Sequence, residues 1–144
     1  MFAFDTKALQ DQLKAKAEQV EKSSRAIAFE GSDVLYKQAL QNVPVGAKGH
    51  WFHGTSFRKT GQKYWFDAGS LRKSIYQVFS KDNSGDGKAT YHISWNKKKA
   101  PYGFMVENGT SKAPAQPFLR PAQDQAGAQA LEAMQNKLKE VMSA

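Results

Sequence analysis

The chain contains no cysteine. Disulfide frameworks, thiolate nucleophiles and Cys-ligated zinc or iron–sulfur sites are thereby excluded. No apolar run approaches the roughly 20 residues needed to span a bilayer. The opening segment MFAFDTKALQ carries an acid where a signal peptide would be basic, so an intracellular product with no membrane partner is expected. Acidic side chains are also scarce, 13 Asp and Glu against 21 Lys and Arg, giving a net charge of +8 and a pI near 9.7. Such a balance raises nucleic acid or another anionic surface as a partner. What is present is ordinary for a folded chain: 40% hydrophobic and 24% charged residues in a length of 144 suit one domain.

The charge is unevenly placed. Residues 1–40 hold six basic and six acidic side chains, whereas residues 41–121 hold thirteen basic side chains against Asp67, Asp82, Asp86 and Glu107, a surplus of nine. One basic face on a mixed fold is expected, not a uniformly positive coat.

Leu13, Val20, Ile27 and Val34 recur every seven residues and predict a long helix from Asp5 to about Gln41. Asp5 or Thr6 would cap its start, and the segment Asn42 to Pro44 would end it, because proline disfavours helix in the residue before it. Gly31 is the expected point of a bend or break. Unbroken, such a helix would run roughly 55 Å, longer than a domain of this size covers, so part of it should meet a neighbouring subunit or project. The middle reads as strands. His50 to His53 and Lys63 to Asp67 are aromatic runs separated by a polar glycine-bounded stretch, and residues 74–95 read as a β-hairpin around the turn DNSGDGK. Between Pro101 and Thr110 the apolar spacing fits a strand and a helical face equally. A second amphipathic helix is expected from about Pro121 to Met142, with Leu131, Met134, Leu138 and Val141 on one stripe. The fold class is α+β: long N-terminal and C-terminal helices packed on a mostly antiparallel sheet of about four strands. In one domain, 1–42 form the first helix, 43–110 the sheet with an aromatic hairpin at about 46–68, and 111–144 a strap and the last helix.

Catalytic chemistry is thinly supplied. His50 and His53 would point to opposite faces of a strand, and His92 is the only other histidine. Asp82, Ser84, Asp86 and Gly87 imitate the opening of a calcium loop, but Ile93 stands where the bidentate glutamate belongs. There is no GxSxG elbow, Walker loop or GxGxxG. No catalysis, metal or cofactor is expected. A combination of Trp51, Phe52, Phe57, Tyr64, Trp65 and Phe66 with Arg58, Lys59 and Lys63 could stack bases and neutralise phosphates. In the plainer reading the aromatics fill one sheet face and the cations solubilise the other.

The stretch from Tyr102 to Ala122, YGFMVENGTSKAPAQPFLRPA, resembles the signature of the tail-completion or neck family of long-tailed bacteriophages. Val106, Glu107, Gly109 and Thr110 match its Val-Glu-x-Gly-Thr portion, and Pro117, Phe118, Leu119, Arg120, Pro121 and Ala122 match its second half. Gly69, Leu71, Arg72, Ser74 and Ile75 match a Gly-x-Leu-Arg-x-Ser-Ile segment expected to open a strand. Two departures stand out: 24 residues separate Pro44 from Gly69 and carry the aromatic hairpin, and Gly103 replaces a usual alanine. Read physically, Pro117 and Pro121 bracket Phe118 and Leu119 on a rigid strap, and Glu107 and Arg120 are expected to pair or to cap backbone groups.

The resemblance implies a structural virion protein at the neck, part of an oligomeric ring, with sixfold symmetry as the first expectation. Its partners would be copies of itself and tail-terminator, head-closure or connector proteins. Lys97, Lys98, Lys99, Arg58, Lys59 and Lys63 would then face a lumen through which genomic DNA passes, or an acidic neighbour. The rival expectation is a free nucleic-acid-binding module built on the basic, aromatic middle.

Overall fold

The N-terminal apolar repeat does form helix, but in two pieces: α1, Lys7–Lys22, and α2, Ser24–Asn42. The computed structural model describes residues 2–144 and places the interruption at Ser23. Consecutive serines are weak helix formers because their hydroxyls compete for backbone partners. The expected break at Gly31 does not occur. Gly31 is buried in mid-helix, where a Cβ would stand 2.6 Å from Cγ and Sδ of Met134 and 3.3 Å from the Ala130 carbonyl oxygen. Glycine is there to admit a close helix neighbour. At the start, the Lys7 amide donates to Asp5 Oδ1 at 2.9 Å, and at the end Val43 turns extended ahead of Pro44.

The neighbour is the C-terminal helix α6, Arg120–Ser143. It runs antiparallel to α2, because Asn42 Nδ2 donates to the Phe118 carbonyl at 3.2 Å while, at the far end, Gln19 Nε2 and Lys16 Nζ donate to the carbonyls of Val141 and Met142, each at 2.6 Å. The last carbonyls of a helix lack intrahelical partners, and these two side chains of α1 supply them. Ala39, Ala122, Ala126 and Ala130 are buried, so the seam is built from small residues.

Among the described residues there are four strands, all antiparallel, divided between two separate hairpins. The first pairs β1, His50–His53, with β2, Lys63–Phe66, around a helical turn, α3, Phe57–Thr60. The second pairs β3, Ile75–Phe79, with β4, Tyr91–Trp95, in the register Ile75 to Trp95. Its turn uses positive φ at Gly85, Asp86 and Gly87. The Gly-x-Leu-Arg segment does not open directly into a strand: Gly69 takes φ +78°, and Ser70–Ser74 form a helical turn, α4, before β3 begins at Ile75. That turn buries Leu71 and Ser74 ahead of buried Ile75, which an extended segment with a period of two would not do. Between Pro101 and Thr110 the helical face prevails as α5, Gly103–Asn108.

The core gathers where these pieces meet. Val43, Leu71, Ile75, Ala100 and Phe118 are buried together, with Tyr36, Leu40, Ile93, Trp95, Tyr102, Val106 and Leu119 packed around them. Phe118 is wholly inaccessible and meets the Trp95 ring edge-on at 5.8 Å. Trp95 also explains the departure at position 103. A Cβ on Gly103 would collide with the indole atoms Nε1, Cδ1 and Cε2, and the rigid ring has no free end to move aside. Gly103→Ala should therefore cost about 1–3 kcal/mol by overpacking. Chemical denaturation checks this, and the double variant with Trp95→Leu should lose less than the sum of the single losses.

Candidate functional site

Helix α5 delivers Glu107 into the interior, its side chain 7% exposed. The chain then reverses at Gly109, φ +77°, where a Cβ would approach the Ala115 amide nitrogen to 2.7 Å. Thr110 shapes the loop by accepting the Ala113 amide on Oγ1 at 3.1 Å and donating its own amide to the Ala113 carbonyl at 2.8 Å. The Gln116 amide returns to the Val106 carbonyl at 2.8 Å. Pro117 then leads into three successive amides that all donate to the Glu107 carboxylate: Phe118 and Leu119 to Oε2 at 2.8 and 3.1 Å, Arg120 to Oε1 at 3.1 Å. These are orphan donors at the start of α6, and Pro121, the next residue, has no N–H to satisfy. Glu107 thus caps α6 from another part of the chain, with its charge at the positive end of the helix dipole.

Arg120 completes the clamp. Its Nε meets Glu107 Oε1 at 3.3 Å, and its Nη2 donates to the Glu107 carbonyl at 2.9 Å and to Asn108 Oδ1 at 3.3 Å. Burial pushes the Glu107 carboxyl up, but the amides of Phe118, Arg120 and Leu119, with the Arg120 side chain, outweigh burial and hold it below the ordinary glutamate value. Such a group binds structure and offers no reactive proton near neutral pH.

The motif residues surround this clamp. Leu71, Ile75 and Phe118 enter the core, Val106 and Leu119 flank it, and Arg72 is exposed on α4. An apolar groove of about 440 Å³ opens between the linker after α2, the Gly69–Leu71 segment, α5 and the loop before the strap. Tyr102, Met105 and Val106 form one wall and Pro44 and Leu71 another. No sequence pattern pointed to it, because its walls come from four separated segments.

The basic residues divide between the two hairpins. Lys97, Lys98 and Lys99 occupy an exposed turn after β4, where Asn96 Oδ1 accepts the amides of Lys98 and Lys99 at 2.9 and 3.3 Å. Arg58, Lys59 and Lys63 belong to the first hairpin. There His50, Phe52 and Phe66 face inward onto Tyr102, with ring centroids 4.7, 6.0 and 5.1 Å away. The opposite face is not the purely charged one of the plainer reading. Trp51 and Trp65 pair across it at 5.3 Å, 53% and 50% exposed, with Lys63 Nζ 4.6 Å above the Trp51 ring.

The histidines do not converge. His50 packs on Tyr102, His53 stacks on Phe57 at 4.1 Å, and His92 lies on the other hairpin. Ser84 serves its own turn, donating to the Ser80 carbonyl and accepting the Thr90 amide. Among the described residues no group of three or more His, Cys, Asp or Glu side chains is placed to hold a metal ion, and no helix is long and apolar enough to cross a membrane.

Residues 7–109 match a family model described as "Bacteriophage HK97-gp10, putative tail-component", which is well over half of the 144 residues. Neither a curated protein nor a solved structure shows significant similarity to the chain.

The clamp has a pH signature. A carboxyl held low in the folded state adds stability that is full above its unfolded value of about 4.3 and is lost as pH falls through the folded value. Glu107→Gln should cost about 2–4 kcal/mol at pH 7, since charge-assisted bonds to three amides are weakened together. The gap between variant and native chain should narrow below the unfolded value. Urea midpoints at pH 7 and pH 3 provide the comparison.

Proposed function

Because the chain belongs to this phage tail-component family, we propose that it is a structural protein of the virion neck, completing the tail or joining it to the filled head as one subunit of a closed ring. The observation that carries the ring is the state of α1. It has no buried residue, and Leu9 and Leu13 of its apolar repeat are exposed together with Phe2 and Phe4. Exposed apolar groups gathered toward one end of a helix mark a candidate interaction surface. Copies of the same chain are the first partner, because a closed ring reuses one heterologous interface in every subunit. Tails of long-tailed phages are sixfold, so six copies is the proposed number, with tail-terminator, head-closure or connector proteins above and below. The ring would serve as architecture, without catalysis.

In such a ring the exposed cations have a role. Lys97, Lys98 and Lys99 form no ion pair among the described residues, and with Arg58, Lys59 and Lys63 they would line the lumen past which genomic DNA moves or face an acidic neighbour. One observation favours a second reading, a free nucleic-acid-binding module: the exposed Trp51 and Trp65 pair with Lys63 over one ring combines stacking surface and charge. The two readings separate by location and by salt. A neck subunit should be found in purified particles at a fixed copy number and bind DNA weakly as an isolated chain. A free binder should be absent from particles and lose affinity steeply with salt.

Reversing Lys97, Lys98 and Lys99 together to glutamate should lower the yield of infectious particles while leaving the melting temperature of the isolated protein unchanged. Titres equal to the parent would remove the lumen or partner role for this cluster.

A further inference from the structure

Two features at opposite ends of the molecule lack partners and match each other. The first is the N-terminal arm, Phe2 to Asp5, where Phe2 and Phe4 are 93% and 91% exposed, more than any other large apolar side chain described. The second is the apolar groove beside α5, where Met105 stands half exposed on the rim. Water-facing phenylalanines on a short extended segment and an open apolar trough of about 440 Å³ are the two halves of an aromatic-anchor contact.

They cannot meet within one chain. The groove lies at the end where Asn42 touches the start of α6, whereas Lys16 already lies level with Met142 at the far end of α6. From Arg120 to Met142 helix α6 runs roughly 33 Å, and α1 continues another two turns beyond Lys16 before the arm begins. The residues from Phe2 to Thr6 reach at most about 18 Å when fully extended. A groove filled by an arm is therefore filled by another copy's arm.

Charge agrees with that occupant. The arm carries Asp5 directly after Phe4, and the groove rim carries Lys48, which is exposed and in no ion pair among the described residues. The acid on the rim, Asp67, is engaged as acceptor of the Trp65 indole N–H at 2.8 Å.

We propose that residues Phe2 to Asp5 of one copy dock in the groove between α5 and the Gly69–Leu71 segment of the next copy, with Phe2 and Phe4 as anchors and Asp5 toward Lys48. The inference rests on the proposed self-assembly and identifies its contact. Such an exchange joins the far end of α1 in one subunit to the opposite end of its neighbour, a head-to-tail interface of the kind that closes into rings.

A chain without cysteine makes a clean test. Full-length A3C protein, which keeps both anchors, is mixed with full-length M105C protein carrying a mass tag, under oxidising conditions, and disulfide-linked heterodimers are followed by mass spectrometry. The control partner is L131C, placed on an exposed site of α6. Docking should make the A3C to M105C link form on the order of tenfold faster than the A3C to L131C link, since a docked arm holds its group at high effective concentration. In parallel, Phe2→Ser with Phe4→Ser should lower the native oligomeric mass without changing the melting temperature, because neither ring packs within the subunit. Oligomers that form while A3C links to M105C no faster than to L131C would overturn the arm contact and leave the ring standing. A protein that stays monomeric and forms no selective link would also overturn it, and particle composition would then judge the neck reading separately. Capture of a different virion protein by M105C in particles would assign the groove to that partner and equally overturn the proposal.

Discussion

The fold turns on one buried carboxylate. Glu107 faces three consecutive amides that the start of α6 would otherwise leave without partners, and it is itself costly to bury unless such donors surround it. Each side of the contact resolves the other's problem. The contact fixes the strap at Phe118, which places the one wholly buried large side chain among the described residues against Trp95, and it sets where α6 begins. From that point the small-residue seam with α2 follows, since Ala122, Ala126 and Ala130 come to the buried face only if α6 starts in this register. Arg120 adds a second hold by bridging the carboxylate, the Glu107 carbonyl and Asn108. Its side chain is largely exposed, so its ion pair contributes less than the amides do.

The seam in turn determines what α1 can do. Gly31 lets Met134 approach the backbone of α2, which brings the helices close enough for Lys16 and Gln19 to reach the last carbonyls of α6. Along its whole length α1 buries no residue among those described. Leu13 and Leu9 of α1, and Phe4 and Phe2 ahead of it, are exposed. Apolar surface left in water at such a cost is where the proposed contact between copies would form.

Much of this was legible in the residues, and the misreadings have physical causes. The seven-residue repeat, the terminal amphipathic helix and the turn between residues 82 and 88 act through local rules of periodicity and positive φ, and they led to the right elements. Gly31 misled because propensity prices glycine by its own backbone, whereas here its value lies in what packs on it from about 100 residues away. The Gly69 segment misled because a helical turn of five residues is too short to show a period. A pairing of Glu107 with Arg120 follows from charges of opposite sign in one motif. Capping of backbone groups belongs to the same expectation, but which three amides Glu107 accepts is set by the loop from Thr110 to Gln116 folding back on itself, not by spacing. The groove was invisible for the same reason.

Tyr102 ties the remaining parts together. A two-stranded hairpin is marginal alone in water, and the first hairpin lays His50, Phe52 and Phe66 on this single ring. The same residue lines the groove and immediately precedes α5, the helix that carries Glu107. Burial pushes its phenol up, as expected for a hydroxyl drawn into the body of the protein. Whatever enters the groove therefore touches the support of the aromatic hairpin and the helix of the clamp at once. The exposed tryptophans with Lys63 lie on the far face of that hairpin. In the proposed contact between copies, an occupied groove would bury the free side of Tyr102, the ring on which the hairpin beneath those tryptophans rests.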